Sequence, residues 1–72
     1  MRLSVKSKQM IKFLTDNGYY FVSQEGSHKK YSNGTYTTTV PEHNKDLGIG
    51  LLLKILRDTK LRKKELEEWL GR

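Results

Sequence analysis

The sequence has 72 residues, a net charge of +6 at neutral pH and no cysteine. This length allows one small domain, the charge fits a polyanionic or acidic partner, and the lack of cysteine excludes disulfides and thiolate metal sites. No apolar run is long enough for a membrane span, and the N-terminus lacks the apolar core of a signal peptide. We therefore expect a cytoplasmic protein with a single domain over residues 1–72 and no membrane contact.

The chain begins with a predicted helix over residues 8–17, where apolar residues recur at helical spacing. Ser7 is the predicted N-cap, with Ser4 as the alternative, because serine hydroxyls accept hydrogen bonds from free backbone amides. Gly18 ends the helix, since glycine readily adopts the left-handed conformation found at helix ends.

Three strands follow, predicted over residues 19–24, 27–32 and 35–40. They are rich in aromatic, β-branched or threonine side chains and are separated by turn residues. Glu25–Gly26 forms the first predicted turn. Asn33–Gly34 forms the second, because this dipeptide strongly favours a two-residue hairpin loop.

The second hairpin predicts a strand register. A loop of two residues places Ser32 opposite Thr35 and His28 opposite Thr39, and directly opposed residues share a face of the sheet. One face would then carry Tyr31, Tyr36 and Val40, and the other His28, Lys30, Ser32, Thr35, Thr37 and Thr39. Only the apolar face can pack against helices, so His28 is expected on an open, basic face.

Two helices complete the chain, predicted over residues 48–59 and 62–70 from their apolar spacing. The element order α-β-β-β-α with a short C-terminal helix predicts an α+β fold. It would be a three-stranded antiparallel meander with the helices on one face. This is also the element order of the double-stranded-RNA-binding fold with one helix added, although order alone leaves function open.

The His28 strand could support cleavage of an RNA backbone. Imidazole takes and gives a proton near neutral pH, and RNA carries its own nucleophile in the 2′-hydroxyl. Lysine ammonium groups can stabilise the negative charge that builds on the phosphate. His28 and Lys30 meet this specification without any metal or cofactor, and Lys29, Ser27 and the threonines opposite are additional candidates.

Other interpretations stay open on these residues alone. A histidine beside lysines on an exposed strand is more often a solvated side chain or a phosphate contact than a catalyst. His43 lies in a predicted loop, and loop histidines commonly only form hydrogen bonds with their surroundings. The chain could therefore be a non-catalytic RNA-binding module, or an interaction domain whose basic surface meets an acidic protein.

Three segments together resemble the HicA toxin family: residues 26–31 (Gly-Ser-His-Lys-Lys-Tyr), 38–43 (Thr-Thr-Val-Pro-Glu-His) and 52–56 (Leu-Leu-Lys-Ile-Leu). The resemblance implies a double-stranded-RNA-binding-like fold. It also implies a metal-independent, ribosome-independent endoribonuclease, or mRNA interferase, that halts translation by cleaving mRNA. Such a protein is the toxin of a type II toxin–antitoxin system and is neutralised by a HicB antitoxin.

The resemblance also assigns residues. The family's catalytic histidine corresponds to His28, its second histidine to His43, and the glycine of the motif to Gly26. The predicted RNA and phosphate contacts are Gly26, Ser27, Lys29, Lys30, Thr37, Thr39 and His43, with no metal ligand. Residues 59–62 (Thr-Lys-Leu-Arg) depart from the family, which usually has a glycine between its last two helices.

Overall fold

The computed structural model describes residues 5–42 and 46–71. Its elements are α1 (Ser7–Asp16), β1 (Tyr20–Glu25), β2 (His28–Ser32), β3 (Thr37–Pro41), α2 (Ile49–Thr59) and α3 (Lys63–Leu70). The strands form one antiparallel sheet in the order β1-β2-β3. The predicted α+β meander with a short C-terminal helix is confirmed, with element bounds that differ by one or two residues. None of the described helices has the length and apolar character needed to cross a membrane.

The core lies between the helices and one face of the sheet, which we call the inner face. Helices α1 and α2 both pack against β3, and Val40 of that strand is fully buried. The buried apolar side chains are Val5, Met10, Phe13, Leu14, Tyr19, Tyr31, Val40, Leu47, Leu52, Ile55, Leu56 and Leu66. The opposite face, which we call the outer face, carries the polar side chains that were expected there from the alternation along the strands.

Ser7 does not cap α1, contrary to the prediction. Lys6 is the extended residue before the helix, and its backbone N–H donates to Oε1 of Gln9 over 2.9 Å. Ser7 is instead the first helical residue; it is buried, and its hydroxyl donates to the backbone carbonyl of Pro41. Ser7 therefore joins the start of α1 to the end of β3. The alternative cap, Ser4, lies outside the described residues.

The predicted register of β2 on β3 is wrong by two residues. His28 lies opposite Pro41, whereas the prediction placed Thr39 there, and Lys30 lies opposite Thr39. Side chains alternate between faces with a period of two, so a shift of two residues leaves each side chain on its predicted face. The structure thus confirms that His28 and Lys30 share the open outer face.

The turn between β2 and β3 explains the shift. Its tip is Gly34–Thr35, because the N–H of Asn33 donates to the carbonyl of Tyr36 over 3.1 Å. The side-chain Oδ1 of Asn33 accepts from the N–H groups of Thr35 and Tyr36, at 2.9 and 2.7 Å. Asparagine side chains commonly bond to the backbone two residues on. Tyr36 therefore pairs with Asn33 beside the turn and is 38% exposed.

Helix α3 docks on the domain even though no glycine joins it to α2. Lys60 adopts the left-handed conformation that glycine usually supplies, with φ 60° and ψ 18°. Leu66 is fully buried, and the rings of Trp69 and Phe13 meet edge to face with 5.6 Å between centroids. The indole Nε1–H of Trp69 also donates to Oδ2 of Asp16 over 2.9 Å. These contacts fix α3 against the end of α1.

Candidate active site

His28 is the first residue of β2 and is exposed on the outer face. It lies opposite Glu25 on β1 and opposite Pro41 on β3, so it occupies the middle strand at one end of the sheet. No described helix packs on this face, which leaves the imidazole open to a large ligand. The position agrees with the one expected from the sequence.

A shallow cavity of about 220 Å³ surrounds this histidine. It is lined by Ser23, Gln24, Glu25, His28, Lys30 and Thr39. Beside His28, the hydroxyls of Ser23 and Thr39 and the ammonium of Lys30 can donate hydrogen bonds to a phosphate. Glu25 adds a carboxylate. The cavity therefore combines an acid/base group with groups that can bind an anion.

Lys29 and Lys30 have different environments. Lys30 is exposed on the outer face, and within the described part of the chain its ammonium has no ion-pair partner. Lys29 points to the inner face, is partly buried, and has its Nζ 3.1 Å from Oε2 of Glu42. Only Lys30 is therefore brought to the His28 face with its charge uncompensated.

Gly26 and Ser27 form the turn that leads into His28. Gly26 has φ +59°, a conformation that glycine adopts without the steric cost met by other residues. The carbonyl of Ser27 accepts a hydrogen bond from the backbone N–H of Glu42, which ties this turn to the end of β3. The turn was predicted one residue earlier, at Glu25–Gly26.

The remaining predicted contacts separate along the sheet. Thr39 lies opposite Lys30 and lines the cavity. Thr37 shares the outer face but pairs with Ser32, four residues along β2 from His28, or about 13 Å at the rise of a strand. His43 lies outside the described residues.

A β-bulge brings a residue to the cavity that the sequence analysis missed. Between β1 and β2 the pairing passes from Phe21 with Tyr31 to Ser23 with Lys30, which leaves Val22 as the extra residue. Bulges redirect the side chains that follow them. Without it, strict alternation would place Ser23 on the same face as Phe21, which is the inner face. No glycine or proline in β1 marks the bulge, so the sequence offered no signal for it.

Glu25 is the second missed residue, and it reaches the site for the same reason. The bulge moves it to the outer face, and the Gly26–Ser27 turn places it directly opposite His28. In the sequence, Glu25 is predicted only as part of the turn, without a chemical role.

A larger groove of about 560 Å³ lies on the other side of the sheet, beside α1. It is lined by Lys6, Ser7, Lys8, Ile11, Lys29, Tyr31 and Glu42. Its carboxylate, Glu42, is already paired with Lys29, and its described lining residues include no imidazole. The smaller outer-face cavity is thus the better candidate for proton-transfer chemistry.

Among the described residues, no group of three or more His, Cys, Asp or Glu side chains is arranged to hold a metal ion. The groups gathered around His28 are one imidazole, one carboxylate, one ammonium and two hydroxyls. These groups are suited to move protons and to hold an anion.

A family model described as the HicA toxin of bacterial toxin–antitoxin systems matches residues 7–61. The chain belongs to the HicA toxin family. The match runs from α1 through α2 and includes the whole sheet, with His28 and its cavity. No curated protein matches the chain.

Family membership has two direct consequences. HicA proteins are the toxins of toxin–antitoxin systems, so this chain is the toxin of such a system; members of the family generally cleave mRNA. A toxin of such a system has a cognate antitoxin as its partner.

Proposed function

We propose that this HicA protein is an mRNA interferase: a metal-independent endoribonuclease of a type II system that halts translation by cleaving mRNA. The observation that carries the proposal is the position of His28. It is exposed on the outer face, in a cavity shared with the uncompensated ammonium of Lys30, within the segment that matches the toxin family. His28 acts as a general acid/base in this proposal.

The chemistry needs only what the substrate and this cavity supply. The 2′-hydroxyl of one nucleotide attacks the adjacent phosphate once its proton is removed, and His28 is the group that moves protons. Lys30 stabilises the charge that develops on the phosphate oxygens. DNA has no 2′-hydroxyl, so the same site should leave DNA intact.

The outer face also provides contacts for the RNA backbone. We assign phosphate or sugar contacts to Lys30 and Thr39 in the cavity, to Gly26 and Ser27 in the turn, and to Thr37 further along the face. We expect Lys29 to contribute less to RNA binding, because it pairs with Glu42 on the inner face. His43, which lies outside the described residues, remains a candidate contact.

The cognate antitoxin is proposed to be a HicB protein that covers the outer face. Its contact surface should be acidic, because the toxin carries a net charge of +6 and the outer-face ammonium of Lys30 is available to it. Binding there would exclude RNA from His28 directly.

The test compares induced wild type with His28→Ala in cells, following growth and mRNA integrity, and then the purified proteins on RNA. Thr35→Ala is the matched control, since Thr35 is an exposed residue at the far turn of the same sheet. Wild type and the control should arrest growth and fragment mRNA, while His28→Ala does neither. If purified wild type binds RNA without cleaving it, the chain is a non-catalytic RNA-binding module and the proposal is wrong.

A further inference from the structure

The structure places a carboxylate beside the proposed catalytic histidine. Glu25 and His28 flank a two-residue turn and are directly opposed in the β1–β2 ladder. Opposed residues share a face, and their Cβ atoms lie about 4.5–5.5 Å apart. Both side chains line the same cavity. This arrangement depends on the bulge at Val22, since strict alternation would send Glu25 to the inner face.

Neither group is otherwise engaged. Within residues 5–42 and 46–71, the side chains of Glu25 and His28 take part in no hydrogen bond or ion pair, and both residues are exposed. A carboxylate kept for stability would be expected to pair with a nearby cation, as Glu42 does with Lys29. Among the described residues, the pairing of the backbone holds the two groups side by side at the wall of the cavity.

Cleavage of RNA needs two proton transfers. A base removes the proton from the 2′-hydroxyl, and an acid protonates the 5′-oxygen that leaves. A single histidine cannot be deprotonated for the first step and protonated for the second when both occur together. A second titratable group beside the first supplies the missing role.

We propose that Glu25 is the general base and His28 the general acid of this reaction, an assignment that rests on the proposed ribonuclease function. The Glu25 carboxylate takes the 2′-hydroxyl proton, and the 2′-oxygen forms a bond to phosphorus. The bond from phosphorus to the 5′-oxygen breaks, and the imidazolium of His28 gives its proton to that oxygen. The products are a 2′,3′-cyclic phosphate and a 5′-hydroxyl.

The charges around His28 are compatible with these roles. Among the described residues, Glu25 faces it from β1 and Lys30 lies two residues along β2, while its partner on β3, Pro41, carries no charge. The Glu42 carboxylate near the end of β3 is held by Lys29. Glu25 is thus the one carboxylate in the described part of the cavity, directly opposite His28.

The first experiment measures cleavage of a short RNA by purified wild type, Glu25→Gln, Glu25→Asp and His28→Ala. Glu67→Gln on α3 is the matched control, because it makes the same chemical change at an exposed site remote from the cavity. We expect Glu25→Gln to lose about 10²–10⁴-fold in rate, as for removal of a general base. Glu25→Asp should recover part of the loss, and thermal melting should show that all variants fold.

The second experiment separates the two roles with an RNA whose scissile 5′-oxygen is replaced by sulfur. A thiolate leaves without being protonated, so removing the general acid should change the cleavage rate little. Removing the general base should lower the rate as much as it does on the unmodified RNA. On this substrate, the cleavage rate of His28→Ala should lie within about tenfold of the wild-type rate, while Glu25→Gln should remain inactive. Rescue of Glu25→Gln instead would overturn the assignment.

The pH dependence gives an independent readout. Wild type should show a bell-shaped rate profile, because Glu25 must be deprotonated and His28 protonated. Glu25→Gln should lose the decline on the acidic side. Full activity of Glu25→Gln would refute the role of Glu25 while leaving the ribonuclease proposal intact, whereas a wild type that cleaves no RNA would refute both.

Discussion

Lys29 and Lys30 are adjacent in sequence and lie on opposite faces of the sheet. Lys30 accompanies His28 on the outer face, and Lys29 pairs with Glu42 over 3.1 Å on the inner face. Two residues that look equivalent in a basic motif therefore differ in what they can offer to RNA. One brings a free positive charge, and the other brings a charge that is already partly neutralised.

Changing each lysine to alanine should separate these roles. Lys30→Ala should weaken RNA binding at every salt concentration and lower the slope of log affinity against log salt by about 0.7–0.9, the value of one phosphate contact. Lys29→Ala should change the slope much less, because its ammonium stays with Glu42. Binding titrations at several salt concentrations, with His28→Ala in the background to prevent cleavage, provide the measurement. Equal slopes for the two variants would show that Lys29 leaves Glu42 when RNA binds.

The open face of the sheet could be predicted because it depends only on the alternation of side chains. The pairing of individual residues could not, since it depends on which atoms close the second turn. Asn33 and Gly34 favour a turn wherever they occur, but the side chain of Asn33 accepts the amide hydrogen bonds and moves the tip to Gly34–Thr35. A shift of one residue would have put His28 in the core, whereas the actual shift of two left it outside.

Part of the candidate site was not predictable for a different reason. His28 and Lys30 follow from alternation on β2, but Ser23 and Glu25 reach the cavity through the bulge at Val22. A bulge of this kind is stabilised by how the strand sits on its neighbour, and no residue type in β1 requires it. Its consequence for Glu25 was therefore visible only in three dimensions.

The turn at Asn33 can be tested through stability. Asn33→Ala removes the acceptor of two backbone N–H groups and should lower the free energy of unfolding by about 0.5–1.5 kcal/mol. We expect a loss in the lower part of this range, because the turn is exposed. Asn33→Asp keeps an oxygen at the same position and should stay close to wild type. Urea denaturation of the three proteins provides the comparison. A loss in the aspartate variant as large as in the alanine variant would argue against this role of the side-chain oxygen.

Lys60 should be a site where glycine stabilises the protein. The left-handed conformation costs a residue with a Cβ atom about 1 kcal/mol, and glycine avoids most of that cost. Lys60 also lies over the ring of Tyr36, 5.8 Å from its centroid, so replacing it removes a weak attraction. Comparing Lys60→Gly with Lys60→Ala isolates the backbone effect, because both lose that attraction.

We expect Lys60→Gly to be more stable than Lys60→Ala by about 1 kcal/mol in urea denaturation. This would also explain how the domain keeps α3 docked without the glycine typical of its family: lysine accepts a strained backbone that the packing of Leu66 and Trp69 imposes. Equal stability of the two variants would mean that the connection carries no such strain.

Asp58 should make the domain less stable in acid. Its carboxylate accepts hydrogen bonds from Lys54 over 2.9 Å and from the hydroxyl of buried Thr38 over 3.2 Å, so it joins α2 to β3. The hydrogen bond from Lys54 is the main cause that lowers the pKa of Asp58, and it outweighs the opposing effect of burial. A carboxyl group whose pKa is lower in the folded state stabilises that state when ionised. Its contribution is complete above the unfolded pKa, about 3.9, and is lost as the pH falls through the lower folded value.

The measurement is the free energy of unfolding between about pH 5 and pH 2. Wild type should lose stability steadily across this range, and Asp58→Asn should lose less, because asparagine keeps a hydrogen-bond acceptor that does not titrate. Glu67→Gln should keep the wild-type slope, since this exposed glutamate on α3 makes none of these contacts between α2 and the sheet. A slope in Asp58→Asn equal to that of wild type would mean that the acid sensitivity comes from other carboxylates. The contact of Asp58 with Thr38 would then hold α2 on the sheet without coupling that packing to pH.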